Sequence, residues 1–359
     1  MKTVAEFRVC HQQLLGADGT VRGDLPDFAK RPDELVAMYR MMTLCRLFDA
    51  KAINLQRTGK LGTYAPCTGH EATHVGVGAA MRPEDVLFPV YREYGTQLWR
   101  GVTLAEIFTY WSGDERGTDF QGPREDFPWC VPIASQMPHA AGAAMAFRIR
   151  NQPRCAVAYI GDGGTSQGAF YEAMNLAGAH ALPVVFVIVN NGWAISVPVS
   201  EQTGAQTLAQ KGIAAGLPCV QVDGNDVIAV RAVMEAALAR GRAGEGATVV
   251  EALTYRLSDH TTADDATRYR PAEELARAWE QEPLLRLRHY LKTNGHWSDA
   301  REAQLREACT RDIDAAVKAY QTLPHPSVDA MFDHLFANPP PGLAEQRATA
   351  RAYATGAGH

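Results

Sequence analysis

Hydrophobic and polar positions follow two periods along this chain, and each change of period marks out an element. From Pro32 the apolar residues Leu35, Met38, Met42, Cys45, Phe48, Ala52 and Leu55 recur at gaps of three and four until Gly59, which predicts one long amphipathic helix. The polar segment before it, with Gly16, Gly19, Gly23 and Pro26, reads as an extended arm lying on something else. Between 59 and 149 short apolar segments alternate with loops, among them the turn-rich stretch 113–128, and end in a small-residue helix around 140–147. Continuous apolar runs then follow at 155–160, 184–189, 219–222 and 248–255, separated by helical stretches at 169–180 and 227–242. That alternation predicts an α/β fold, a doubly wound and mostly parallel sheet, with helical N- and C-terminal extensions.

The polar loop 256–270 is long enough to be a candidate lid, because structureless loops of that length in compact domains are usually functional. From Pro271 the pattern is helical and charged, with Ser298 as the N-cap of a second helix, and Pro339, Pro340 and Pro341 open a loose tail. The organisation expected is an arm at 1–31, an α/β domain at 32–270, a helical region at 271–338 packing on that domain, and a tail at 339–359.

Composition narrows the function classes. With 46% hydrophobic and 21% charged residues over 359 positions, the chain is globular rather than disordered or fibrous. Thirty-five basic against 40 acidic residues give a net charge of −5, which repels nucleic acid and acidic membrane surfaces. The longest strongly apolar run, 182–189, has eight residues, far short of the ~20 that a spanning helix needs. The opening MKTVAEFRVCHQQLL breaks any signal-like apolar stretch, so a cytoplasmic location is expected. Seven scattered cysteines without a C-x-x-C read as reduced, buried thiols.

Candidate chemistry concentrates in GDGGTSQGAFYEAMNLAGAHALPVVFVIVNNGWAIS, residues 161–196, where a glycine-rich turn follows one strand and an Asn pair follows the next. Ligands of open α/β sheets bind at such strand ends, and backbone N–H groups of the turn suit phosphate. A G-x-G-x-x-G loop would need glycine at Ser166, and a Walker loop would need lysine before Thr165 or Ser166, so neither is present. What remains is Asp162 in the turn and Asn191 at the neighbouring strand end, hard oxygen ligands suited to Mg²⁺ shared with a diphosphate, with the Trp193 carbonyl as a third ligand. A rival lies at His70, Glu71 and His74, which spell the H-E-x-x-H of zinc metallohydrolases without a third ligand at a zincin spacing.

The G-D-G segment followed by Asn-Asn resembles the thiamine diphosphate motif. Together with YAPCTGHEA (64–72), PVYRE (89–93), VPIASQMPHAAG (131–142), VDGND (222–226) and YRLSDHTTADDATRYR (255–270), it looks like the α subunit of two-chain 2-oxo acid dehydrogenases, nearest the pyruvate branch. The resemblance implies the thiamine diphosphate-binding fold, with thiamine diphosphate and Mg²⁺ as cofactors. It implies Asp162, Asn191 and Trp193 as metal ligands, Gly163 and Gly164 as the diphosphate cradle with Gly161 also cofactor-binding, and Tyr91 and Arg92 on the same diphosphate. Ile133 would face the aminopyrimidine and Val131 would be a further cofactor-binding residue, Arg256 would be a helper positioned by the lid, and His260 the catalytic histidine. One departure is Val189, where relatives often carry a polar residue before Asn-Asn.

The activity so implied is oxidative decarboxylation of a small 2-oxo acid, with the acyl group passed to a lipoyl-bearing dihydrolipoyl acyltransferase. Pyruvate is the substrate expected, on GDERG (113–117) and the lid sequence, with branched-chain 2-oxo acids or acetoin as alternatives. The family's catalytic glutamate has no second α/β module here to carry it, so a β subunit is expected, in an α2β2 assembly inactive without it.

Overall fold

The computed structural model describes residues 1–354. Its centre is a six-stranded, wholly parallel sheet built from β1 (Cys10–Gln12), β2 (Val86–Phe88), β3 (Ala156–Gly161), β4 (Val184–Asn190), β7 (Cys219–Asp223) and β8 (Thr248–Leu253) in the order β1-β7-β8-β4-β3-β2. A two-residue pair, β5 (Trp193–Ala194) and β6 (Val197–Pro198), forms a separate antiparallel hairpin.

The buried strands divide their side chains between two cores, which is why their sequences read as continuous apolar runs rather than as alternation. Val185, Val187 and Val189 of β4 face a core shared with the helices Pro32–Arg57, Glu71–Ala80 and Val227–Arg242. Val184, Phe186 and Ile188 face the other, shared with Gln136–Ile149 and Gly168–Ala179. From β4 the chain passes beyond β8 to β7 and returns through Val227–Arg242, so helices cover both faces and the sheet is doubly wound, as expected. The winding reverses between β4 and β8, and a crevice outside the carboxyl ends is the usual consequence.

Three expectations need revision. The arm does more than lie on the surface: β1 pairs in parallel with β7 and supplies the edge strand. Asp226 fixes it there, its Oδ2 accepting from the Leu14 and Leu15 N–H groups at 2.7 and 2.6 Å while Oδ1 caps the helix that starts at Val227. Ser298 leads into the third helix after Pro271, not the second. Ala272–Trp279 and Pro283–Thr293 precede it, because Pro283 starts a new helix capped by the Glu282 carboxylate. Asp299–Gln321 then begins with the Arg301 N–H donating to Ser298 Oγ.

The tail is not loose throughout. Pro341–Ala354 is helical, since proline is at home in a first helical turn and the following Ala, Glu, Gln and Arg residues are good helix formers. Arg347 and Arg351 pair with Asp329, and Arg347 with Asp333 as well. Positions 355–359 of the expected tail lie outside the described residues. The described residues divide into two compact units, 1–316 and 317–354, and everything described below as a site lies in the first. Cys45, Cys67, Cys155 and Cys309 are buried, whereas Cys10 is exposed and Cys130 and Cys219 are intermediate. No helix among the described residues is long and apolar enough to cross a membrane.

Candidate functional site

A cavity of about 280 Å³ opens at the carboxyl ends of β3, β4 and β8. Tyr91, Arg92, Ile133, Gly161, Asp162, Gly163, Gly164, Asn191, Trp193, Arg256 and His260 all line it, so eleven of the twelve residues singled out from sequence converge on one space. Val131 is the exception: it is 55% exposed and does not line the cavity.

Asp162 follows the last residue of β3 and is 3% exposed. Its Oδ1 accepts from the Gly163 N–H at 2.7 Å, while Oδ2 is buried with no hydrogen-bond partner. Burial raises its pKa to about 6. Such a carboxylate oxygen, orphaned and facing a cavity, is the chemistry of a cation ligand. The turn after it packs too tightly for side chains. A Cβ on Gly163 would stand 2.5 Å from Ala194 Cβ, and one on Gly164 would stand 2.6 Å from Ile160 Cγ1 and 3.1 Å from Ile133 Cγ2. Nothing lies within 4 Å of a Cβ built on Gly161, so packing does not require glycine there. Behind the turn, Lys211 Nζ donates to the carbonyl and hydroxyl of Thr165 at 3.1 and 2.8 Å.

Asn191, at the end of β4, uses its Oδ1 to accept from the Trp193 N–H at 3.1 Å. The Trp193 carbonyl accepts from Arg256 Nη1 at 3.0 Å, which leaves one of its two lone-pair directions for another partner. Arg256, past the end of β8, is 1% exposed and also donates from Nη2 to the Ile195 carbonyl and the Tyr269 hydroxyl. Arg92 is 6% exposed and donates to the carbonyls of Pro66 and His260. Each of these hydrogen bonds goes to a carbonyl or a hydroxyl, none to a carboxylate. Two buried guanidinium groups thus share the cavity wall, and burial and the neighbouring Arg92 lower the pKa of Arg256.

His260 stands between them, with Nδ1 at 3.3 Å from Arg92 Nη2 and 3.4 Å from Arg256 Nη1. Guanidinium groups only donate, so Nδ1 accepts and the ring proton belongs on Nε2. Burial, then Arg92 and Arg256, push the His260 pKa down to about 3, so the ring is neutral at pH 7. Its backbone N–H donates to Asp264 Oδ2 at 2.9 Å, and the Tyr91 ring meets it edge-on with centroids 6.3 Å apart. The segment 256–270 is therefore packed into the site: Arg270 Nη1 donates to the carbonyls of Arg256 and Ser258 and Asp259 accepts from the Ala266 N–H.

The zinc reading fails on geometry. Glu71 is fully buried and engaged by Arg46 Nε and the Gly69 N–H, and His70 precedes the helix rather than standing on it. No group of three or more His, Cys, Asp or Glu among the described residues could hold a metal ion. Asp162 is a different case, a lone carboxylate whose cavity neighbours include the Asn191 carboxamide and the Trp193 backbone. Sequence reasoning missed His70 and Gln136 as cavity residues; a glutamine inside the apolar stretch 131–142 was the available signal for the second.

Comparison with known proteins gives this site a context. A 3-methyl-2-oxobutanoate dehydrogenase subunit alpha of Mycobacterium tuberculosis is 43% identical over 341 residues, covering 95% of this chain and 93% of the relative. Pyruvate dehydrogenase E1 component subunits alpha are similar too, from Acholeplasma laidlawii (41% over 330 residues; 91% of this chain, 96% of the relative) and Staphylococcus aureus (40% over 338; 93% and 90%). Residues 39–329 match the family described as dehydrogenase E1 component, and the chain belongs to it, among the alpha subunits of 2-oxo acid dehydrogenases.

Proposed function

We propose that this chain holds thiamine diphosphate and Mg²⁺ for the oxidative decarboxylation of a short 2-oxo acid, with pyruvate as the first reading. The observation that carries it is the cavity's pairing of an orphaned buried carboxylate oxygen on Asp162 with two buried guanidinium groups that lack carboxylate partners. A divalent cation answers the first and a diphosphate answers the second.

Asp162, Asn191 and the Trp193 carbonyl would hold the metal, and Gly163 and Gly164 would let the diphosphate approach the backbone. Arg92 and Tyr91 would bind the same diphosphate, and Ile133 would support the aromatic part of the cofactor. When bound, thiamine diphosphate supplies the electron sink that decarboxylation of a 2-oxo acid needs. His260, on the cavity wall, would hold a proton at Nε2 for an oxygen of the substrate, because its Nδ1 is occupied by the two arginines. Arg256 fixes the loop between Trp193 and Ile195 by donating to both carbonyls, and so sets the position of the metal-side backbone.

A β subunit and a lipoyl-bearing acyltransferase complete this reading, since this chain carries one doubly wound sheet. The second substrate reading, a branched-chain 2-oxo acid, is favoured by the mycobacterial relative at 43% identity. Dye-coupled oxidation by the chain co-purified with its β subunit, compared across pyruvate, 3-methyl-2-oxobutanoate and acetoin, tests both. Preference for pyruvate, lost in Asp162→Ala, is the expected result; branched-chain preference replaces the first reading with the second, and no turnover by a stable, cofactor-loaded complex overturns the enzymatic reading.

A further inference from the structure

We propose that His70 contacts the ligand of this cavity directly, hydrogen-bonding an anionic oxygen beside Arg92 and Arg256. The inference rests on the functional reading above for the ligand's identity, and on this chain's own geometry for the contact.

His70 lines the cavity at 2% exposure, and its Nε2 is buried with no hydrogen-bond partner. A buried imidazole nitrogen without a partner weakens the fold, and a group in that state on the wall of a ligand cavity is satisfied when the ligand arrives. Nor is its position an accident of a mobile turn. The Leu257 N–H donates to the Thr68 carbonyl at 3.1 Å, and Thr254 Oγ1 donates to the Gly69 carbonyl at 2.6 Å, which staples this turn to the strand end that carries Arg256. Gly69 has φ +103, and a Cβ there would lie 2.0 Å from the Tyr255 carbonyl oxygen, so glycine is required for so close an approach.

The ring is also backed from behind. His74, fully buried, meets it edge-on with centroids 5.6 Å apart and packs in turn against Tyr159 at 5.9 Å. Burial, then His74, Arg92 and Arg256, lower the His70 pKa, leaving a neutral ring with one N–H to donate. With Glu71 held by Arg46, the H-E-x-x-H sequence has no zinc chemistry to perform, and its first histidine is free for this contact.

Two anions offer such an oxygen, the cofactor's diphosphate and the carboxylate of the 2-oxo acid. Calorimetric titration of the chain co-purified with its β subunit, using thiamine diphosphate with Mg²⁺, separates them. His70→Phe keeps a ring but removes the donor, and is expected to weaken cofactor binding about tenfold, with His70→Gln restoring most of it. Unchanged cofactor affinity with KM for the 2-oxo acid raised about tenfold assigns the oxygen to the substrate. If His70→Phe does not fold, His70→Leu is read in the same way. A folded variant with both quantities unchanged overturns the proposal. Failure of the wild-type complex to bind thiamine diphosphate at all overturns the functional reading instead.

Discussion

Replacing Asp162 by asparagine is expected to stabilise the ligand-free protein while removing its capacity for the cofactor. Burial holds the Asp162 carboxyl at about 6 instead of its ordinary 3.8. A raised carboxyl pKa means that the unfolded state releases this proton first as pH rises. The folded state is therefore penalised progressively between about pH 4 and 6, and fully above that. At ~1.36 kcal/mol per pH unit, a carboxyl raised from 3.8 to about 6 costs ~3 kcal/mol at pH 8. Asparagine keeps an oxygen for the Gly163 N–H but brings an N–H₂ group into the orphaned Oδ2 position, which takes back part of the gain. A net ~1–3 kcal/mol corresponds to a rise in Tm of ~1–4 °C for a chain of 359 residues. Thermal unfolding followed by circular dichroism at pH 8, 6 and 4.5, without metal or cofactor, measures it. The advantage of Asp162→Asn is largest at pH 8 and vanishes near pH 4. With Mg²⁺ and thiamine diphosphate at about 1,000 times Kd, wild type gains ~4 kcal/mol and the order reverses. A variant that melts at or below wild type at pH 8 without ligand, or whose advantage grows as pH falls, would refute the reasoning.

The remaining predictions concern the surroundings of that carboxylate. His260 is neutral down to about pH 3, so its ring resonances in NMR spectra show no titration between pH 5 and 8. Because an unfolded histidine protonates near 6.5, stability falls as pH drops below that value, and His260→Gln gains on wild type in urea melts at pH 5 relative to pH 7. Gly69→Ala places a Cβ against the Tyr255 carbonyl in left-handed backbone, and is expected to cost at least ~3 kcal/mol in the urea midpoint or to prevent folding. Glu71→Gln leaves the Arg46 guanidinium with Glu282 as its sole carboxylate partner, and loses ~2–4 kcal/mol by the same assay. Elemental analysis finds no stoichiometric zinc in wild type; zinc that disappears in His74→Ala would revive the metallohydrolase reading.

What sequence made legible follows from how local each signal is. The strands at 184–190 and 248–253 are covered on both faces by helices, so their apolar runs are continuous and easy to recognise. Asp162 and Asn191 were legible because each directly follows such a strand, where the sheet delivers whatever residue comes next. The order of the strands was not, since the passage from β4 beyond β8 to β7 is fixed by packing between distant segments. β1 is three residues with no alternation, and its place depends on Asp226, more than 200 residues away. The proline run before Pro341 hid a helix because proline stops one helix and starts another with equal ease. His70 was hidden for a different reason: its neighbours spell a zinc motif, and only the Arg46–Glu71 pair shows that the glutamate is already occupied.

Four buried polar atoms without partners line this cavity, on His70, Gln136, Asp162 and Arg256, and the charges among them make a pattern. Asp162 has an unanswered oxygen, Arg92 and Arg256 have only carbonyl, hydroxyl and neutral imidazole partners, and His70 Nε2 has none. Backbone strain lies beside them: Ala134, next to Ile133, has φ 68, and Ile195, on the cavity wall, has φ 56. Elsewhere comparable charges are matched, as where Asp126 receives both Arg100 Nε and Nη2, or where Asp226 collects four backbone N–H groups. A sequence able to satisfy buried charges that well outside the cavity leaves them unmatched inside it for a physical reason. A carboxylate and two guanidinium groups that line one cavity without a hydrogen bond between them are neutralised together by a ligand that carries both signs, a metal cation bound to a polyanion. Binding such a ligand removes several costs at once, so occupancy and local stability of the 256–270 segment rise together. Hydrogen exchange at the His260 and Ala266 amides, which donate to Asp264 and Asp259, reads that coupling directly: it slows on addition of Mg²⁺ with thiamine diphosphate and does not slow in Asp162→Asn.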